Sequence, residues 1–108
     1  MNIDPMKSLQ TLHRVGPLYA SSKATRVFLE ESLRSTKALQ MKASDEQTAA
    51  AQEREAYASE AYRTQLEGLK VAVEQEEGFR WQLITAQAAI EVYRTMEASN
   101  RRLDKAAT

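Results

Sequence analysis

Between Ser59 and Asp104 the apolar side chains recur at helical spacing, and no proline interrupts them. Tyr62, Leu66, Leu69 and Val73 step by four, three and four, which places them on one face of a helix. Forty-six residues of unbroken helix span roughly 69 Å. A lone helix cannot bury its own stripe, so other parts of the chain or other copies of it must cover this one. Carried onward, the same rhythm meets Glu76, Arg80, Leu83, Gln87, Ile90, Arg94, Glu97 and Arg101. Polar residues at such seam positions specify register and partner number, and Glu76–Arg80 and Glu97–Arg101 are spaced to pair. A straight helix of 3.6 residues per turn drifts off this seam instead and turns those side chains to water. Both readings stand at this point.

Past Gly78 the apolar residues spread around the helix. A helix that is apolar on most faces is buried on most faces. In a short chain this predicts a homo-oligomer formed through residues 79–102. The interface is expected to hold Phe79, Trp81, Leu83, Ile84, Ile90, Tyr93, Arg94 and Glu97. Ile90→Asp is expected to break the assembly, because a buried charge lacks compensation. Gly68 and Gly78 are weak points of the helix, and Gly78 is the expected kink.

The N-terminal half carries start and stop signals. Asp4-Pro5 suits an N-cap followed by the first helical position, and Gly16-Pro17 suits a helix end. Helices are therefore expected over 5–15 and 17–42. Ser44 and Gln47 fit a capping box for a short, weakly patterned helix over 45–57, and Ser59 opens the last helix, 59–104. The expected fold is all-α: a single helical domain built as a long antiparallel hairpin, with a short N-terminal helix and oligomerisation through the C-terminal helix.

Composition supports an all-α chain with a thin core of its own: 108 residues, 43 % hydrophobic but 6 % aromatic, with three glycines and two prolines. Formal net charge is zero, yet residues 1–42 carry +4, residues 43–79 carry −6 and residues 80–108 carry +2. Such an order suits self-association or a polyanion partner, and equally a surface whose charges pair internally. Lys23, Arg26, Glu30, Arg34 and Lys37 step along one stripe, four of them basic. The plain reading is a solvated helix face; the functional one is a track for phosphates. There is no cysteine, no apolar run of membrane-spanning length and no apolar core of a secretory signal in MNIDPMKSLQ. A cytoplasmic protein is expected, with no membrane partner.

Catalytic chemistry is poorly provided for. His13 is the one histidine and has no ligand spacing around it; no metal cluster, glycine-rich phosphate loop or nucleophile elbow is present. No enzyme, metal or cofactor is expected. Glu53, Glu55, Glu74, Glu76 and Glu77 are the carboxylates that chelation of a hard cation would draw on, and charge on a solvated surface is their simpler use. Tyr57, Tyr62, Phe79, Trp81 and Tyr93 serve as core if buried and as stacking or anchoring groups if exposed.

Two segments taken together, AAAQEREAYAS-EAYRTQLEGLKVAVE and RWQLITAQAAIEVYRTMEASNRR, resemble small helical proteins of phage and prophage genomes. Their size and order of elements, over about residues 18–102, are similar to phage recombination mediators of the UvsY kind. That resemblance implies an accessory protein that binds single-stranded DNA as a helical homo-oligomer and helps load a recombinase. The contacts would fall to Lys23, Arg26, Arg34, Lys37 and Lys42, with Arg54 and Arg63 nearby. The acidic connecting segment departs from such a pattern. The competing expectation is a protein–protein adaptor, inhibitor or scaffold that binds no nucleic acid, with the acidic segment 45–77 meeting a basic partner.

Overall fold

A computed structural model describes residues 2–107. It contains three helices and, among the described residues, no strand: α1 (Pro5–Ala43), α2 (Ala49–Ala58) and α3 (Glu60–Ala107). The starts of α1 and α3 follow their capping residues. Asp4 Oδ1 accepts from the amides of Met6 and Lys7 at 3.0 and 3.2 Å. Ser59 Oγ accepts from the Tyr62 amide at 3.2 Å and donates to the Ala56 carbonyl at 2.7 Å, so one hydroxyl closes α2 and opens α3.

Two boundaries differ from the local signals. The break expected at Gly16-Pro17 is absent, and α1 runs straight through it as one helix. Pro17 and His13 are both exposed, so water is available to the carbonyl at residue 13 that the proline cannot serve. The N-cap of α2 is Thr48 rather than Ser44: its Oγ1 accepts from the Ala51 amide at 3.1 Å. Ser44 instead shapes the connection, its Oγ accepting from the Glu46 amide at 3.1 Å and donating to Glu55 Oε2 at 2.8 Å. α3 is continuous through Gly68 and Gly78.

The chain divides into two compact units. In Ser21–Glu76, the end of α1, all of α2 and the start of α3 pack together. Arg26 reaches Glu76, and ten residues further along α1 Thr36 reaches Gln65, eleven residues back along α3. The two helices are therefore antiparallel. The other unit joins the stretch up to Ala20 with the stretch from Glu77. Its deepest residues are Val15, fully buried, and Ala86.

Burial along α3 recurs at Tyr62, Gln65, Leu69, Ala72, Glu76, Phe79, Leu83, Ala86, Ile90 and Tyr93, alternating steps of three and four. Leu69, Glu76, Leu83 and Ile90 of the expected seam lie on this covered face. Val73, Arg80, Gln87 and Arg94 do not; Ala72, Phe79, Ala86 and Tyr93 take their places. A spacing of seven divides as four and three or as three and four, and a helix can bury along either. The small alanines admit close approach of a neighbouring helix, which Arg80 and Gln87 would obstruct.

Candidate functional site: a charged aromatic groove and an engaged cation stripe

In the Ser21–Glu76 unit, all three helices contribute to an open groove of about 390 Å³. Leu33 comes from α1, Tyr57 from α2, and Tyr62 and Leu69 from α3, with Glu30, Arg34 and Lys37 of α1 completing the lining. Tyr57 and Tyr62 meet edge to face, with centroids 5.2 Å apart and planes at 81°. Ser59 caps the turn between them, with Tyr57 in the last turn of α2 and Tyr62 in the first turn of α3.

Lys37 is the centre of the charge in this groove. Its ammonium lies 2.8 Å from Glu53 Oε1, 2.8 Å from the Tyr57 hydroxyl and 4.6 Å from the centroid of that ring. The hydrogen bond to Glu53 raises the lysine's pKa, and the Tyr57 hydroxyl adds to the shift. The same bond from Lys37 holds the Glu53 carboxyl below the usual carboxylate range. Lysine thus stays charged and glutamate ionised across the ordinary pH range.

Arg26 is engaged as fully. Its guanidinium grips Glu76 through Nε and Nη2, the latter at 3.2 Å, and Nη1 holds Glu30 Oε1 at 2.8 Å. The hydrogen bonds that Arg26 donates to Glu76 are the main cause that raises its pKa, with the one to Glu30 second. Glu76 is 7 % exposed, so this fork joins α1 to α3 from within the seam. Arg34 holds Glu31 Oε1 at 3.0 Å on the exposed surface, where such a pair contributes little.

Of the seven cations expected to contact nucleic acid, Arg26, Arg34 and Lys37 are thus occupied by carboxylates of the same unit. Lys23, Lys42, Arg54 and Arg63 are exposed and make no ion pair among the described residues. Arg63 shares a shallow surface depression with Glu60 and Glu67. No protein-family model, curated protein or solved structure matches the chain.

The residues expected at an oligomer interface separate by face. Phe79, Leu83, Ile90 and Tyr93 are half-buried on the side of α3 that carries the buried Ala86, and Ile84 is half-buried beside them. Trp81, Arg94 and Glu97 are exposed. Ile90→Asp would accordingly place its charge within the packed unit, not on an outer surface. Arg94 pairs with Glu91 Oε1 at 3.1 Å. Of the carboxylates considered for a cation, Glu53, Glu55, Glu76 and Glu77 each already have a hydrogen-bonded partner, and no group of three metal-ligating side chains converges among the described residues. His13 is exposed.

Sequence reasoning missed three features. The polar pair Thr36–Gln65, at 2.6 Å, gave no signal, since each residue alone reads as surface. Phe28 is 69 % exposed, although an aromatic residue among apolar neighbours of α1 ordinarily reads as core. The Lys37–Glu53 pair spans sixteen residues across a turn, beyond any helical spacing rule.

Proposed function

We propose that the chain is a non-catalytic helical interaction module, an adaptor or scaffold that works through contacts with proteins, its own copies included. The internal occupation of the basic stripe carries this reading. A phosphate backbone would have to displace Glu76, Glu31 and Glu53 to reach Arg26, Arg34 and Lys37. Release of small counterions, which drives nucleic-acid binding, is smaller where the cations already hold fixed carboxylates. Large exposed apolar side chains such as Phe28, Leu39 and Trp81 suit protein contacts, in which aromatic anchors carry much of the energy.

A second reading, an accessory protein of the recombination-mediator kind on single-stranded DNA, is favoured by the four exposed and unpaired cations Lys23, Lys42, Arg54 and Arg63. Fluorescence-anisotropy titration of labelled single-stranded DNA at two salt concentrations decides between them. The protein's mass is fixed beforehand by light scattering. Absence of binding at low salt supports the interaction module. Salt-steep binding that disappears when those four cations are changed to glutamine overturns it in favour of the DNA reading.

A further inference from the structure

Within the Ser21–Glu76 unit, α2 is attached differently from the two long helices. Ala56 is its one buried side chain, and Ala51, Gln52 and Glu53 are half-buried. Among the described residues, α2 is hydrogen-bonded to another helix through the side chain of Lys37 alone. That ammonium donates to Glu53 Oε1 and to the Tyr57 hydroxyl, both at 2.8 Å. The two acceptors stand one turn apart, so a single cation of α1 holds most of the short helix. The ion pair is open to water, with 28 % of the lysine side chain and 45 % of the glutamate side chain exposed. The ring contact of Tyr57 with Tyr62 also reaches solvent, since Tyr57 is itself exposed.

The seam between α1 and α3 does not depend on α2. Arg26 grips Glu76 and Thr36 donates to Gln65, and neither contact involves a residue of α2. Ser59 Oγ caps α3 through the Tyr62 amide, a bond that needs no part of α2 in place. Residues 44–59 join the end of α1 to the start of α3. Extended, that segment reaches roughly 50 Å, and packed helices lie only about 10 Å apart. The connection therefore spans the two ends whether or not α2 is docked. A helix of ten residues is too short to be stable by itself, so α2 unravels once it leaves the surface.

We propose that α2 is a strap that opens independently: it leaves the groove and unravels while the α1–α3 seam of the same unit stays closed, with Lys37 as its latch. Opening uncovers Leu33, Tyr62 and Leu69 and frees the Lys37 ammonium. Contacts that are few, small and solvated are those that open below the global transition.

Hydrogen exchange resolved by residue, followed by NMR on the full chain, reads this opening. After correction for intrinsic rates, amides 53–58 are expected to exchange at least about tenfold faster than those of Leu29 and Ala72 in the seam. Equal protection at the two places means that α2 opens only with the whole unit and overturns the proposal. Lys37→Met keeps the apolar stem and removes the ammonium. It is expected to speed exchange at 53–58 by at least about threefold; unchanged rates there show that Lys37 is no latch. Arg54→Pro, at an exposed position inside α2, breaks that helix outright. It is expected to lose about a tenth of the helical circular-dichroism signal, the share of α2, and to keep Leu29 and Ala72 protected. Loss of most of the helicity, or of protection at those two residues, makes α2 integral to the fold and overturns the strap.

Discussion

Val15 is 0 % exposed, and it is the largest side chain that the described residues bury completely. Val15→Ala removes two buried carbons, about 1.6 kcal/mol at ~0.8 kcal/mol each. Incomplete collapse around the lost volume adds to that cost. Alanine is the better helix former and returns about 0.5 kcal/mol. The net loss is about 1–2 kcal/mol, or a fall in Tm of about 5–10 °C for a domain of this size. Val27 supplies the control, because it lies in the same helix but is 46 % exposed. Val27→Ala keeps the gain in propensity and loses little burial, so its stability should stay within about 0.5 kcal/mol of the parent. Thermal unfolding followed by far-UV circular dichroism measures both. If Val15→Ala shifts Tm no further than Val27→Ala, the core does not sit where the structure places it.

Three further outcomes are expected. Pro17→Ala should stabilise the chain by about 1–3 kcal/mol in urea titrations, since it restores an amide to the interior of a continuous helix at an exposed site; a loss of stability would mean that the helix does end there. Gly78→Ala should raise stability by up to ~1 kcal/mol, because an added Cβ meets nothing within 4 Å, and a decrease would reveal a close neighbour. The Glu53 carboxyl, titrated by NMR, should have its midpoint below the ordinary value near 4.3, and Lys37→Met should bring it back up. A folded-state pKa below the unfolded one means stability that is present above the unfolded value and lost as pH falls through the folded one. Lys37 is shifted upward, so its share is present below its ordinary value and lost only as pH rises beyond it. The pair therefore contributes fully across neutral pH and weakens at both extremes; a Glu53 midpoint unmoved by Lys37→Met would show the two groups to be uncoupled.

What the sequence by itself determined is what acts within one or two helical turns. The caps at Asp4 and Ser59, the helical habit of the alanine-rich middle and the three–four spacing are short-range, so the all-α class and the starts of α1 and α3 were legible from residue order. Leu69, Glu76, Leu83 and Ile90 were legible too, because both ways of dividing a seven-residue repeat pass through them. Tertiary structure alone decided the other half of the seam. Ala72, Phe79, Ala86 and Tyr93 lie on the covered face instead of Val73, Arg80, Gln87 and Arg94, a choice that depends on which phase lets a second helix approach. Local preference also lost at Gly16-Pro17, where one missing hydrogen bond at an exposed position is outweighed by the packing of a continuous α1. The basic stripe shows the same division. Its spacing is a property of one helix, but the carboxylates that occupy it, Glu53 and Glu76, stand sixteen and fifty residues away, where only the fold brings them.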